Sequence, residues 1–308
     1  MKILITGGTG TFGKNFLKFL IQNHKNKLKR IVIYSRDEFK QSELSKIYPE
    51  SKFPFIRYYI GDVRDQDRLK LALQDINIVI HAAAMKQVPA CENDPFEAIK
   101  TNIIGAQNVV SSCLQSNTVK RVIALSTDKA AAPINLYGAT KLCSDKLFLA
   151  TDNIKGKRKI SFTVVRYGNV MMSRGSVIPL FLDQFKYNRA LNITDSKMTR
   201  FNITIDDAVR RVYWSIDNLF GGEVYVPKIP SYRIMDLAKS INNTSSKIKY
   251  KIIGIRQGEK IHEELISKGD SYNSLEAKDH YLICSNIKKF KKYQKIYKKV
   301  PLNFSYSS

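Results

Sequence analysis

Tyr137 and Lys141 stand four residues apart, so a helix would place both side chains on one face. A lysine ammonium on that face can lower the pKa of the tyrosine and hold a ribose hydroxyl. A tyrosinate can then accept the proton of an alcohol while the carbon is oxidised. This spacing is common by chance, but here it follows the polar strand end Ser126 and Thr127. The pair therefore predicts alcohol oxidation, with the Thr127 hydroxyl beside it.

Asp128 and Lys129 follow directly and put an acid and a base side by side. Simple alcohol oxidation needs only a tyrosine and a hydroxyl. A neighbouring acid and base allow elimination, because one group can take a proton beside a carbonyl while the other protonates a departing hydroxide. A neutral Lys129 requires a pKa below that of free lysine, through burial or through the charge of Lys141. The alternative is a capping aspartate beside a solvated lysine.

Three glycines predict a dinucleotide site near the amino terminus. Gly7, Gly10 and Gly13 have the spacing GxxGxxG, after the apolar run 3–5 and before a helical pattern. Glycine is needed where the backbone turns sharply and touches a pyrophosphate, and the helix N-terminus supplies N–H groups and positive potential. The alternative, an ordinary glycine-rich turn, does not require this strand and helix on either side.

The second predicted strand ends at Ser35 and Arg36, where an NAD-specific site would place an acidic residue on the ribose. A hydroxyl and a guanidinium suit a 2′-phosphate instead, which favours NADP over NAD. Asp62, after the third strand, can accept from the adenine amino group, and His81 is interpreted as a packed histidine. The predicted cofactor-binding residues are Gly7, Thr9, Gly10, Thr11, Phe12, Gly13, Ser35, Arg36, Asp62, Val63, Ala82, Ala83, Lys86, Tyr137 and Lys141.

The elements that must position these residues alternate regularly in the first half of the chain. Short apolar runs at 3–5, 31–34, 56–60, 76–80, 122–125 and 162–165 are separated by helical patterns. This alternation predicts an α/β fold, a Rossmann-type doubly wound parallel sheet with ligands at the carboxyl ends of the strands. We predict an NADP-binding domain over 1–166 and a smaller carboxyl-terminal substrate lobe over 167–308, some of whose segments return to the first domain.

Composition limits the other possibilities. The net charge is +24, with a lysine-rich run at 288–293, but no nucleic-acid-binding motif accompanies it. We interpret the run as a solvated surface, so removing residues from 288 onward should leave turnover intact. No apolar run is long enough to cross a membrane and no signal peptide is evident, so we expect a cytoplasmic protein. The cysteine spacing predicts neither a metal nor a disulfide framework, and Cys143 is expected to be buried.

Several strings resemble one family closely. They are residues 34–38, 82–89, 125–148, 166–169, 173–177, 198–201, 226–230 and 256–262. These resemble the inverting UDP-N-acetylglucosamine 4,6-dehydratases of the extended short-chain dehydrogenase family, specifically those of the pseudaminic acid pathway. The resemblance runs from about residue 2 to about residue 266. The retaining relatives carry Asp-Glu after the strand threonine, whereas Asp128 and Lys129 follow the inverting pattern.

The resemblance implies a role for each site residue. Lys129 would be the base at sugar carbon 5, Asp128 would assist loss of the carbon 6 hydroxyl, and Tyr137 would serve oxidation at carbon 4. The implied substrate-binding residues are Lys86, Asn169, Arg174, Arg200 and Arg256. Met171 and Met172 replace a small residue of the family and are expected to crowd the substrate.

The implied reaction has no net redox change and inverts carbon 5. From UDP-N-acetylglucosamine it would give UDP-2-acetamido-2,6-dideoxy-beta-L-arabino-hex-4-ulose, destined for surface or flagellin glycans. The resemblance also implies a homo-oligomer. Two alternatives stay open at this point: a sugar-nucleotide 4- or 5-epimerase, and a non-catalytic protein that binds NADP or nucleic acid on the same fold.

Overall fold

The computed structural model describes residues 1–173, 175–242 and 249–308. Its strands are β1 (Lys2–Thr6), β2 (Arg30–Ser35), β3 (Ile56–Ile60), β4 (Ile78–His81), β5 (Arg121–Thr127), β6 (Ser161–Tyr167), β7 (Asn169–Val170), β8 (Leu191–Ile193), β9 (Thr199–Ile203), β10 (Glu223–Pro227), β11 (Ser231–Arg233), β12 (Tyr250–Ile252), β13 (Glu264–Ile266), β14 (Ser274–Glu276), β15 (His280–Cys284), β16 (Lys298–Lys299) and β17 (Tyr306–Ser307). Its α-helices are α1 (Thr11–His24), α2 (Glu38–Ile47), α3 (Gln66–Ala72), α4 (Val88–Asn93), α5 (Pro95–Ile99), α6 (Gly105–Gln115), α7 (Leu136–Ile154), α8 (Val177–Lys186), α9 (Ile205–Asn218), α10 (Ile234–Asn242) and α11 (Ile287–Gln294).

Ten strands form one large sheet in the order β16-β14-β15-β10-β6-β5-β4-β1-β2-β3. From β3 to β10 every neighbouring pair is parallel, whereas β15, β14 and β16 add antiparallel strands at one edge. The order 3-2-1-4-5-6 is that of the Rossmann fold. Each of the six apolar runs in the sequence lies in or overlaps one of the strands β1 to β6. The predicted α/β class and doubly wound sheet are therefore confirmed.

Strand β1 shows why the apolar runs in the sequence do not alternate with polar residues. Leu4 packs into the apolar cluster on one face of the sheet, and Ile3 and Ile5 pack into the cluster on the other face. All three side chains are fully buried. A parallel sheet covered by helices on both faces needs apolar residues at every position, which is why its strands read as continuous hydrophobic runs.

A smaller unit stands beside the carboxyl ends of these strands. It contains the three-stranded sheet β11-β9-β7, the pair β12-β8 and helices α8 and α10. It has an apolar core of its own, formed by Phe181, Leu191, Ile193, Met198, Ile234 and Ala238. The division of the chain at residues 166 and 167 into two functional units stays a prediction.

The lysine-rich run belongs to the folded body of the protein. It forms α11, whose Phe290 and Tyr293 are buried in the same cluster as the residues of β1. Lys289 also lies 3.4 Å from Asp152, on α7. The interpretation of this run as a solvated surface that can be removed is therefore wrong, because only its lysines face water while its aromatic residues complete the core.

One finding concerns membranes. Among residues 1–173, 175–242 and 249–308, no helix is both long enough and apolar enough to cross a bilayer.

Candidate active site

A cavity of about 970 Å³ opens where the strands of the parallel sheet end. Its walls are formed by residues from both halves of the chain, and most of the predicted site residues are among them. These predicted residues are Gly7, Thr9, Gly10, Thr11, Phe12, Ser35, Arg36, Asp62, Val63, Ala82, Ala83, Lys86, Thr127, Asp128, Lys129, Tyr137, Lys141, Asn169, Arg200 and Arg256. Of the remaining two, Gly13 is not on the wall and Arg174 lies outside the described residues.

The glycine turn has the shape that a pyrophosphate requires. Gly7 has a φ of +65°, and a Cβ at that position would lie 2.9 Å from the backbone of Ala82 and Ala83. Helix α1 begins after Gly10 with no capping side chain and no acidic residue in its first turn. Free N–H groups at such a helix start attract anions. This end of the cavity therefore fits the phosphates of a dinucleotide.

Gly13 serves packing rather than contact with a ligand. A Cβ on Gly13 would lie 2.5 Å from the backbone of Gly8, so only glycine lets α1 pass this close to the turn. The GxxGxxG pattern therefore combines two demands: Gly7 and Gly10 form the cavity wall, and Gly13 sets the distance between helix and turn.

At the end of β2, the structure places a hydroxyl and a guanidinium on the wall. Ser35 is nearly buried, and its Oγ accepts a hydrogen bond of 3.0 Å from the Gln41 amide. Arg36 is half exposed and lies 3.6 Å from Asp62. Desolvation raises the pKa of Asp62, but hydrogen bonds from Arg64 outweigh it and hold that pKa below its usual value. Asp62 is thus an anion that Arg64 and Arg36 share.

Tyr137 lies in the first turn of α7, and Asn135 caps this helix by accepting a 2.8 Å hydrogen bond from Gly138. Burial raises the pKa of Tyr137 to about 12, although the charge of Lys129 and a hydrogen bond with Thr127 both oppose the rise. A lysine charge does lower the pKa of Tyr137, as the sequence predicts, but burial outweighs this effect. The opposing lysine is Lys129, not Lys141.

Lys141 is buried behind the tyrosine. Its Nζ donates a 2.8 Å hydrogen bond to the carbonyl of Leu125 at the end of β5. Desolvation lowers the pKa of Lys141, and the charge of Asp145 opposes this change. The ammonium is thus fixed to the strand end at the cavity wall, where a ribose could reach it.

Asp128 and Lys129 form a tight turn directly after β5. The Lys129 Nζ lies 3.2 Å from Asp128 Oδ1 and 3.2 Å from Glu263 Oε1. Desolvation lowers the pKa of Lys129, but the two carboxylates outweigh it and raise the pKa above that of free lysine. The expectation of a lowered pKa is therefore wrong, and Lys129 is an ammonium paired with two carboxylates.

Glu263 is a site residue that the sequence reasoning missed. Its side chain is only 4% exposed, and it lies on the cavity wall. The loop before it crosses over the start of α7, where the Asn135 amide donates to Gly258 at 2.7 Å and Lys260 donates to Ala131 at 2.8 Å. No local sequence signal marks Glu263, because its position in the site depends on this crossing of the loop over α7.

The residues implied for substrate binding also lie on the cavity wall, apart from Arg174, which is outside the described residues. Lys86 lies on the wall, where desolvation and the charge of Lys129 lower its pKa. The Oδ1 of Asn169 is buried without a hydrogen-bond partner among the described residues. Arg200 is nearly buried and donates to the carbonyls of Thr199 and Ile261, whereas Arg256 is half exposed. Arg256 is thus the more available cation for a diphosphate.

Three further expectations concern a histidine, a cysteine and two methionines. His81 is fully enclosed, with its Nδ1 2.9 Å from the Thr6 hydroxyl, as expected for a packed histidine. Cys143 is exposed, so its predicted burial is wrong. It lies two residues after Lys141, which turns it to the outer face of α7. Met171 and Met172 are partly exposed and do not line the cavity, so no crowding by them is seen.

The chain is similar to known proteins over most of its length. Residues 3–285 match the family described as polysaccharide biosynthesis protein. The chain is 52% identical over 287 residues to a UDP-N-acetylglucosamine 4,6-dehydratase (inverting) of Campylobacter jejuni subsp. jejuni, covering 93% of this chain and 83% of that protein. It is 44% identical over 283 residues to a UDP-glucose 4-epimerase of Rickettsia bellii, covering 91% and 82%.

A solved structure extends the likeness to three dimensions. The X-ray structure of Pen from Bacillus thuringiensis superimposes with a TM-score of 0.90 at 38% identity, covering all of this chain and 93% of that one. Both the sequence match and the structural match span nearly the whole molecule. The chain therefore belongs to the polysaccharide biosynthesis protein family.

Proposed function

We propose that this protein is an NADP-dependent UDP-N-acetylglucosamine 4,6-dehydratase that inverts carbon 5 of the sugar. The observation that carries the proposal is the position of Asp128 and Lys129 beside the Tyr137 hydroxyl network. Thr127 is hydrogen-bonded to Tyr137 and donates to Asp128 at 2.9 Å, and Asp128 in turn lies 3.2 Å from Lys129. An oxidation site and an elimination site thus share one cavity wall.

The cavity can hold the cofactor that this reaction needs. The turn at Gly7 and the start of α1 fit the pyrophosphate, Lys141 is in place for a ribose, and Ser35 with Arg36 suits a 2′-phosphate. When bound, NADP would supply the oxidation at sugar carbon 4 and the later reduction at carbon 6. Its choice over NAD rests on the absence of an acidic residue at positions 35 and 36, the tip of β2.

The side chains of this protein handle the protons. Once it has lost its own proton, Tyr137 accepts the proton of the carbon 4 hydroxyl as a tyrosinate, and Thr127 holds its oxygen in place. The resulting ketone acidifies the proton on carbon 5, which Lys129 removes once it is neutral. Asp128 assists loss of the carbon 6 hydroxyl as water. A new proton then reaches carbon 5 from the opposite face, which inverts that centre.

The substrate is held by cations and an amide of the cavity wall. Lys86 and Arg256 suit a diphosphate. The buried Oδ1 of Asn169 can accept a hydrogen bond from a sugar hydroxyl or amide. We place this binding in the unit formed by residues 167–308, with Lys86 contributed by the first domain. Assembly as a homo-oligomer, a cytoplasmic location and a role in pseudaminic acid synthesis stay predictions.

An epimerase is the second candidate, and the 44% identical relative from Rickettsia bellii supports it. Simple 4-epimerisation needs oxidation and reduction at carbon 4 and no group acting at carbon 5. In this site, two carboxylates and an ammonium lie together beside the tyrosine network, which simple 4-epimerisation would not use. The site therefore favours the dehydratase.

One experiment tests the proposal against its alternative. Purified protein is incubated with UDP-N-acetylglucosamine in deuterated water without added NADPH, and the product is identified by NMR. We expect a 4-keto-6-deoxy sugar nucleotide of the L series with deuterium at carbon 5. A 4-epimer that keeps its carbon 6 hydroxyl and its carbon 5 proton would contradict the proposal and support an epimerase.

A further inference from the structure

The resting state of Lys129 leaves a question that the proposed function does not answer. An ammonium cannot remove a proton, yet two carboxylates within 3.2 Å hold Lys129 in its charged form. Before it can act at carbon 5, its Nζ must give a proton either to water or to a neighbouring group. The answer lies in a difference between the two carboxylates.

Asp128 already has a second donor. Its Oδ1 accepts from the Thr127 hydroxyl at 2.9 Å as well as from Lys129. The second oxygen of each carboxylate, Asp128 Oδ2 or Glu263 Oε2, is buried without a partner among the described residues. Glu263 is still the less engaged of the two, because Lys129 is the only partner of its Oε1 among those residues. A carboxylate with few donors loses least when it becomes a neutral acid. Glu263 is therefore the better acceptor of the two.

We propose that Glu263 is a positioning residue that takes a proton from Lys129 when a sugar nucleotide fills the cavity. The inference rests on the proposed function and deepens it. One N–H bond of the Lys129 ammonium breaks and one O–H bond forms on Glu263 Oε1, with no change of oxidation state. The ion pair becomes a neutral amine beside a neutral acid, and the amine is then free to remove the proton from carbon 5.

Desolvation supplies the reason for the transfer. The Lys129 side chain is 21% exposed and lies on the cavity wall, so a sugar bound in the cavity would cover it. Covering the pair lowers the local dielectric constant, which penalises two charges more than two neutral groups. The proton then moves within a strongly coupled pair rather than into solvent. The base thus forms only when a substrate is present.

The fold holds Glu263 in place for this role. Its backbone N–H donates to the Ser308 Oγ at 3.0 Å, and its carbonyl accepts from the Ser308 N–H at 2.9 Å. Strand β13 then continues as an antiparallel pair with β17. Because both backbone groups are fixed, the carboxylate keeps its position against a lysine that lies 134 residues earlier in the chain.

The test compares Glu263→Gln with a control variant, Glu264→Gln. The control makes the same chemical change at the next residue, whose side chain is partly exposed. Exchange of the carbon 5 proton into deuterated water is measured between pH 6 and pH 9, with formation of reduced nicotinamide followed separately. The wild type and Glu264→Gln should exchange at a rate that changes little with pH. In Glu263→Gln only solvent and Asp128, which already accepts from Thr127, remain to take the proton, so exchange should be at least about tenfold slower at pH 7 and should rise with pH.

Glu263→Asp provides the conservative variant. It keeps a carboxylate, so its exchange should be slower than in the wild type but again nearly independent of pH. This variant also serves if Glu263→Gln does not fold, since a steep pH profile in Glu263→Asp would overturn the inference. Wild-type rate and a flat profile in Glu263→Gln would overturn it too. Failure of the wild type itself to form a 4-keto sugar would instead contradict the proposed function.

Discussion

The hydroxyl of Thr127 donates a hydrogen bond of 2.9 Å to the Oδ1 of Asp128. The Thr127 hydroxyl is also hydrogen-bonded to the phenol of Tyr137. The Asp128 Oδ1 also lies 3.2 Å from the Nζ of Lys129. One continuous network therefore joins the group proposed to act at carbon 4 with the group proposed to act at carbon 5. The two chemical steps can still be separated by mutation, because each uses a different end of the network.

Lys129→Ala should separate them. The variant keeps Tyr137 and Thr127, so we expect it to bind UDP-N-acetylglucosamine and to form reduced nicotinamide. Without the amine, exchange of the carbon 5 proton should fall by on the order of 10²-fold or more, as for loss of a positioned base. NMR in deuterated water measures this exchange. Exchange at the wild-type rate would assign the base to another residue, and Lys146→Ala, on the exposed face of α7, is the matched control.

The cofactor prediction concerns the end of β2. Mass spectrometry of freshly purified protein should detect NADP, and bound NAD alone would contradict the assignment. Arg36→Ala removes a guanidinium from the cavity wall, so NADP binding should weaken by about 10- to 100-fold while NAD binding changes little. Titration of both dinucleotides measures the ratio. Lys46→Ala, an exposed charge at the end of α2, should leave the ratio unchanged.

The residues that sequence reasoning found are those with local signals. Strands β1 to β6 are continuous apolar runs, and Gly7 and Gly10 follow the first of them at a fixed spacing. The amphipathic order of Phe290 and Tyr293 was also readable, since both fall on one face of a short helix. Their burial was missed because the lysines around them dominated the composition.

Glu263 and the charge of Lys129 could not be found in this way. Lys129 follows β5, whereas Glu263 arrives from a loop of the second half of the chain that crosses over α7. No periodicity connects two residues so far apart. The pKa of Lys129 depends on this tertiary contact, so its direction could not follow from the neighbouring residues alone.

The core position of Phe290 yields a stability prediction. Phe290→Ala should lower the free energy of unfolding by about 3 kcal/mol, because it leaves a cavity under α11. Ile287→Ala removes an exposed side chain of the same helix and should change it by less than about 0.5 kcal/mol. Urea unfolding followed by circular dichroism compares the two variants. Equal stability of both would show that α11 does not contribute to the core.

The buried histidine predicts how stability depends on pH. Desolvation, and then the charge of Lys141, lower the pKa of His81 from 6.5 to about 3. Below pH 6.5 the unfolded chain therefore binds a proton that the folded protein does not, and the free energy of unfolding falls as the pH falls. The decrease in the free energy of unfolding that His81 causes approaches about 1.4 kcal/mol per pH unit below pH 6.

Urea unfolding at pH 7.5 and at pH 5 should show this loss in the wild type and a smaller loss in His81→Gln. The same pH dependence in His81→Gln as in the wild type would mean that other groups cause the loss.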